Sequence, residues 1–545
     1  MAGGHEHEVM VQAAVREGLG GEKLWVGLGS GALAAIAAFV AVALAMLLAS
    51  GGVDSSWPPL AYLGRVTLFT LGQAVASTVL SVVLALPVAL AIGRRPSFPG
   101  RRLLLGLMLL PLGLPVLPAV FGIVEIWGRQ GIVNQTARAL GLGDVVSVYG
   151  LTGILIGHVF FNLPLAARLM VRALEGVPES QWKLAAILDF PRLSIFRFIE
   201  WPALARVIPG IAGLIFMLCV TSFTIVLTLG GGPQTSTLEV AIYQALKFDF
   251  DPPRALALSA LQLVLTLAVF LMLRAFPDPE EDRAATRGKA FRPDAAAPGA
   301  WTTDALILAL FLVFVGSPIV AVVVSGLAAN LGHLLADPLF RRALVTSIGI
   351  AACAGFLCTL ASFFVLRAAH AVGKRQLGAM FRLPQFMLLL PPLTLGSGWF
   401  ILLLRAGLEE HAAVPVVIVI NMLMAMPFAM RVIAPELDTH LLRTRRLAES
   451  LDIHGWPRYR LIDLPVLRGP LLIAFSFAMA LSLGDLGAIA LFGSDNFITL
   501  PSLLYAKLGS YRTTDAAGLA LILGVLCLIF MLPAIRGDRR TGERP

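Results

Sequence analysis

The chain has 545 residues, 58% of them hydrophobic and 14% charged, and its 42 Lys and Arg outweigh 33 Asp and Glu for a formal charge of +9. A soluble domain carries about 25% charged and about 45–50% apolar residues, so this composition excludes a water-soluble protein and points to a bilayer. Cys219, Cys353, Cys358 and Cys527 all fall inside apolar runs without metal-ligand company, which excludes a disulfide scaffold and a zinc module.

Residues 1–23 read as a polar cytoplasmic tail containing His5, Glu6, His7 and Glu8. The apolar run at 24–50 exceeds the core of about 7–15 residues in a signal peptide, so it is expected to remain as a membrane helix. Further runs lie at 67–93, 103–127, 150–172, 207–229 and 255–273. A Pro/Ala-rich polar stretch, 276–300, reads as a linker. Six more runs follow at 302–325, 343–366, 383–404, 413–433, 470–493 and 515–535, before a short tail at 537–545. The expected fold is an all-α integral membrane protein of twelve transmembrane helices. They form two six-helix repeats, 24–275 and 301–536.

With both termini cytoplasmic, 32 of the 42 Lys and Arg lie inside and ten outside, Arg65, Arg254, Arg405 and Arg512 among them. The positive-inside rule then fixes the orientation. The basic balance becomes a topology signal beside anionic lipid and needs no nucleic acid. An even number of crossings per half makes the repeats parallel.

Lys183-Leu-Ala-Ala-Ile-Leu-Asp189 returns 263 positions later as Arg446-Leu-Ala-Glu-Ser-Leu-Asp452. At the same offset Pro164 matches Pro427, Arg168 matches Arg431, Glu175 matches Asp438, and Gly230 matches Gly493. Two segments in register mark a tandem duplication with a shared task for the repeated loop. Each loop is long enough for two short helices with a bend. Asp189 is expected as an N-cap with Pro191 in the next first turn. Gly455 and Pro457 bend the second copy.

These loops, each followed by a hydrophobic-Pro pair (Trp201-Pro202, Leu464-Pro465), resemble the EAA signature of permease subunits in bacterial ABC importers. Lys183 and Arg446 stand where that family usually has Glu, and Asp189 and Asp452 where it usually has Gly. The resemblance extends to Trp127-Gly-Arg-Gln-Gly131, His158-Val-Phe-Phe-Asn-Leu-Pro164, Leu229-Gly-Gly-Gly-Pro-Gln-Thr-Ser-Thr237 and Ala241-Ile-Tyr-Gln-Ala-Leu246. Those stretches are similar to the fused permease of thiamine or thiamine pyrophosphate importers, within the iron(III)/thiamine type family; an iron(III) permease is the neighbouring alternative. The resemblance implies a type I, MetI-like importer permease in the bacterial inner membrane. It also implies a homodimeric ABC ATPase carrying ATP and Mg, an extracytoplasmic substrate-binding protein, and no cofactor in this chain. Its coupling residues would be Lys183, Leu184, Ala185, Ala186, Leu188 and Asp189, with Arg446, Leu447, Ala448, Glu449, Leu451 and Asp452.

No Gly-x-x-x-x-Gly-Lys-Ser/Thr phosphate loop occurs in the sequence, so ATP hydrolysis is assigned to a partner. No catalytic or metal cluster is expected. An acid inside a membrane helix is a functional candidate. Asp485, expected midway along the eleventh helix, is placed on the translocation path with its repeat mate Ser222, or at a helix break at Gly484 and Gly487. His158 is read as a helix-contact residue, Glu125 and Arg129 as a local pair, and Glu200 and Asp463 as caps or pairing acids. Trp127, Trp201 and Trp399 are read as interfacial anchors. An ion-coupled secondary transporter would use several buried acids or histidines, and it has no use for twin EAA-like loops.

Overall fold

The computed structural model describes residues 3–50, 57–95, 97–108, 110–273, 292, 294, 299–372, 391–451, 453, 455–494, 496–510 and 513–542. Among them there is no strand, only an isolated bridge between Ser494 and Phe497. In chain order the first helices are α1 (Gly3–Ala49), α2 (Leu60–Arg94), α3 (Arg101–Leu107), α4 (Leu110–Gly113), α5 (Val116–Trp127), α6 (Ile132–Ala139) and α7 (Leu151–Glu175). Then come α8 (Glu179–Ile187), α9 (Arg192–Ile195), α10 (Trp201–Val220), α11 (Thr224–Leu229), α12 (Leu238–Lys247) and α13 (Pro252–Leu273). The second half supplies α14 (Ala300–Ala328), α15 (Leu331–Ala336), α16 (Pro338–Val372), α17 (Pro392–Ala406) and α18 (Glu409–Ser450). It ends with α19 (Gly455–Arg458), α20 (Leu464–Gly484), α21 (Gly487–Phe492), α22 (Leu500–Gly509) and α23 (Thr513–Gly542).

Eleven described segments are long and apolar enough to cross a bilayer. The expected crossing at 383–404 is represented by α17, a shorter apolar helix, and the start of that run lies outside the described residues. Most of the 276–300 linker also lies outside them.

The duplication is visible in the backbone. A widened π turn, Phe196–Glu200, joins α9 to α10, and its counterpart Tyr459–Asp463 joins α19 to α20. All of these elements, and α11 against α21, repeat at the 263-residue offset found in the sequence.

Two expectations need correction. The run at 103–127 is not one helix: it divides into α3, α4 and α5, with Pro115 preceding the first turn of α5. Proline fixes φ and has no N–H to give, so it starts helices better than it continues them. The runs at 207–229 and 470–493 also break, each into a long helix and a six-residue helix. The segments after the breaks then fold inward, and α12 is buried almost throughout.

The helices pack as two compact units. One comprises Met1–Val53, Pro338–Ser502 and Val525–Pro545; the other comprises Asp54–Asp337 and Leu503–Gly524. Neither is a sequence half, because the first apolar helix of each half joins the unit made mainly from the other. In the first unit α1 runs close to α17. A Cβ on Gly398 would come 2.0 Å from the carbonyl oxygen of Ala43, and the Trp399 indole N–H donates to the Phe39 carbonyl at 3.2 Å. In the second unit α14 lies against α5, where a Cβ on Gly122 would come 2.2 Å from the Pro318 carbonyl oxygen. Absence of a side chain lets the backbones approach, as at membrane helix contacts generally.

Candidate functional site

The first duplicated loop folds on a small core of its own. Val177, Trp182, Ala185, Ile195 and Ile199 are buried together, with Phe190 and Ala203 packed against them. Trp182 and Ala185 lie three apart on one face of α8, as helical spacing requires. The opposite face is apolar and open: Leu184 is 56% exposed, Ile187 80% and Leu188 55%. Leu193 and Phe198 extend the exposed apolar surface along α9 and the π turn. Lys183 points outward and pairs with Glu179 at 3.1 Å, whereas Ala186 is half-buried.

Asp189 is not an N-cap. It follows the end of α8 with φ 46°, in the left-handed region. Its N–H donates to the Ala186 carbonyl at 3.3 Å, and the Phe190 N–H donates to that of Ala185 at 3.0 Å. This is a Schellman C-terminus, whose left-handed residue is ordinarily Gly because a Cβ is disfavoured there. Asp is one of the few L-residues that tolerate that conformation. The Asp-for-Gly departure in the motif thus has a local cause. Pro191 precedes α9 at the N-cap rather than inside its first turn.

In the second loop the Ile453 N–H donates to the Ala448 carbonyl at 3.0 Å, the same bond in the same register. Ala448 is fully buried and Leu451 is 57% exposed, matching Ala185 and Leu188. Asp452 lies outside the described residues, as do the side chains of Arg446, Leu447 and Glu449.

Glu200 and Asp463 end the two π turns, and both are buried. Asp463 accepts from His440 Nε2 at 2.8 Å and lies 3.6 Å from Arg367. Glu200 pairs with Arg292, whose guanidinium also forks onto Asp294, both contacts at 3.0 Å, and stacks 3.9 Å from the Trp182 ring centroid. Burial alone would weaken the Arg292 charge; hydrogen bonds to Asp294 and the charges of Asp294 and Glu200 outweigh it and hold the guanidinium above its ordinary range. Glu175 and Asp438, repeat mates, pair with Arg101 and His370.

Asp485 does not sit inside a continuous helix. It follows α20, half-buried, and its carboxylate accepts from the N–H of Gly487 at 3.2 Å and of Ala488 at 3.3 Å, the first turn of α21. Ser222 occupies the same break in the first half. There the freed carbonyls of α10 take side-chain donors: Gln73 reaches Cys219 at 3.0 Å and Gln262 reaches Val220 at 3.5 Å. In the second half Asn421 donates to the Ser482 carbonyl at 3.5 Å and to its hydroxyl at 2.8 Å. Broken helices survive at membrane depth only with such partners.

His158 is buried, with Nδ1 2.9 Å from the Ser77 hydroxyl, a helix-contact role. Glu125 accepts from Ser325 at 3.3 Å. Sequence reasoning missed Gln73, Gln262, Asn421, Arg292 and Asp294. Amides in apolar runs signalled the first three; nothing in the linker's composition singled out the last two. It also missed Glu239, fully buried in α12 with neither carboxylate oxygen hydrogen-bonded among the described residues. Among those residues no group of three or more His, Cys, Asp or Glu could hold a metal ion.

Residues 81–278 match the family of binding-protein-dependent transport system inner membrane components. Over 520 residues the chain is 47% identical to a thiamine transport system permease protein ThiP from Brucella abortus (strain 2308), covering 95% of both chains. It is 43% identical over 516 residues to the ThiP of Salmonella typhimurium, covering 91% of this chain and 94% of that one. It is 41% identical over 509 residues to the ThiP of Escherichia coli K12, covering 90% and 93%. Identity at this level along nearly the whole length, over paired loops and broken fifth helices, places the chain in the ThiP family of multi-pass, binding-protein-dependent transport permeases.

Proposed function

We propose that this chain is the membrane subunit of an importer that moves thiamine, or its pyrophosphate, into the cytoplasm by alternating access. Two copies of a separate ATPase supply the energy, and an extracytoplasmic binding protein delivers the substrate. In this reading both termini and both duplicated loops are cytoplasmic, in line with the Lys and Arg distribution. The halves 24–275 and 301–536 are the two permease repeats. The thiamine assignment is supported by the relatives' names and their full-length identity.

The observation that carries the mechanism is the open apolar face of Leu184, Ile187 and Leu188 on a loop whose other face is a tight core. Exposed apolar residues on a rigid, repeated support are what a partner's groove requires. Leu184, Ile187, Leu188 and Leu451 then contact the ATPase, while Ala185 and Ala448 shape the loop from within.

The test is co-purification. Leu184→Glu with Ile187→Glu is expected to release the ATPase while the chain inserts and melts as wild type. Ala185→Leu, overpacking the core, is expected to lower stability by about 1–3 kcal/mol. Retention of the ATPase by the Leu184/Ile187 variant would remove the docking assignment.

A further inference from the structure

A cluster of six charged side chains, four of them buried, lies beside the first coupling loop. Three guanidiniums, Arg94, Arg95 and Arg292, meet three carboxylates, Glu200, Asp294 and Asp304. Arg94 reaches Asp294 at 3.3 Å and also pairs with Asp304; Arg95 reaches Asp304 at 3.4 Å; Arg292 joins Asp294 and Glu200. The cluster is neutral overall. Such clusters rarely add much stability, since desolvation offsets attraction, whereas removing one partner leaves a buried charge unpaired and is strongly destabilising. Their use is to fix one arrangement of parts.

The parts joined here come from distant stretches of chain. Asp304 lies in the first turns of α14, Arg94 and Arg95 end α2, and Glu200 ends the π turn that leads into α10. Trp182 is the buried ring of α8. Arg292 and Asp294 belong to the sequence linker. Arg292 is the one member that also touches the loop core, through its stack on Trp182. The repeat mate of Trp182 is Arg445, so the indole is not duplicated at that position. There Arg367, beside Asp463, lies 5.7 Å from the Trp25 ring centroid in α1 instead.

We propose that Arg292 is the latch that ties the first coupling loop to the cytoplasmic ends of α2, α10 and α14. It acts as a positioning residue, so that a displacement of α8 is passed on to the membrane helices rather than absorbed in the loop. The inference rests on the docking role proposed above. A flat guanidinium can stack on an indole and fork onto carboxylates at once, which an ammonium cannot.

The experiment uses the full complex of this chain with its ATPase and binding protein in proteoliposomes, reading substrate imported per ATP hydrolysed. Arg292→Lys keeps the cluster's charge, and Arg292→Met with Glu200→Gln keeps it neutral. Both are expected to insert and hold the ATPase as wild type, yet to import about tenfold less per ATP, within the usual range of coupling energies. A wild-type import ratio in both variants overturns the latch. Should the Leu184→Glu, Ile187→Glu protein keep its ATPase, the docking reading fails first and the latch with it. If that protein sheds its ATPase while both Arg292 variants transport normally, the latch alone fails.

Discussion

At Asp485 both carboxylate oxygens are engaged by the first backbone N–H groups of α21. That geometry separates two roles an intramembrane acid can have. Asn caps a helix about as well as Asp, and truncation to Ala costs about 1 kcal/mol. We therefore expect Asp485→Asn, whose one carbonyl oxygen can keep one of the two bonds, to retain most of the uptake, and Asp485→Ala to lower both stability and uptake. A well-folded Asp485→Asn protein with no uptake would show that the charge itself is needed on the path. Sequence exposed the acid because ionisable residues stand out against apolar neighbours. The alternative of a helix break at Gly484 and Gly487 was open to it as well, since glycines interrupt the apolar run there. Which N–H groups the carboxylate meets required the backbone. Asp189 was legible in the opposite sense: its place in the motif was evident, while its left-handed conformation required the backbone.

On the scale of elements, the inward-folded helices α12 and α22 are held by the same device in both repeats. The N–H of Leu238 donates to the Thr70 hydroxyl at 3.0 Å, and that of Leu500 donates to the Ser347 hydroxyl at 2.7 Å. First-turn N–H groups have no intrahelical partner, and a buried one left unpaired costs about 1–3 kcal/mol. Thr70→Val and Ser347→Ala are each expected to lower the thermal midpoint of the purified chain, by similar amounts. An unchanged midpoint in both variants would mean that these hydroxyls do not hold the helices. Such elements were hard to anticipate because 238–247 and 500–509 are too short to stand out as crossings. The long crossings were legible, since about 20 apolar residues have few alternatives in a bilayer.

For the whole molecule, duplication was readable from a fixed offset, and the π turns and breaks repeat at that offset. The exchange of first helices between units was not readable, because α1 and α14 are apolar on most faces and carry no periodic stripe to name a partner. Family membership gives a multi-pass inner-membrane permease that works with an ATPase and a binding protein. The most direct test of the proposed transport is uptake of labelled thiamine into proteoliposomes holding this chain with both partners, with ferric iron in parallel. The account predicts thiamine accumulation only when ATP is present on the ATPase side, and none of iron. Accumulation of iron in place of thiamine, or of thiamine by this chain without the ATPase, would contradict it.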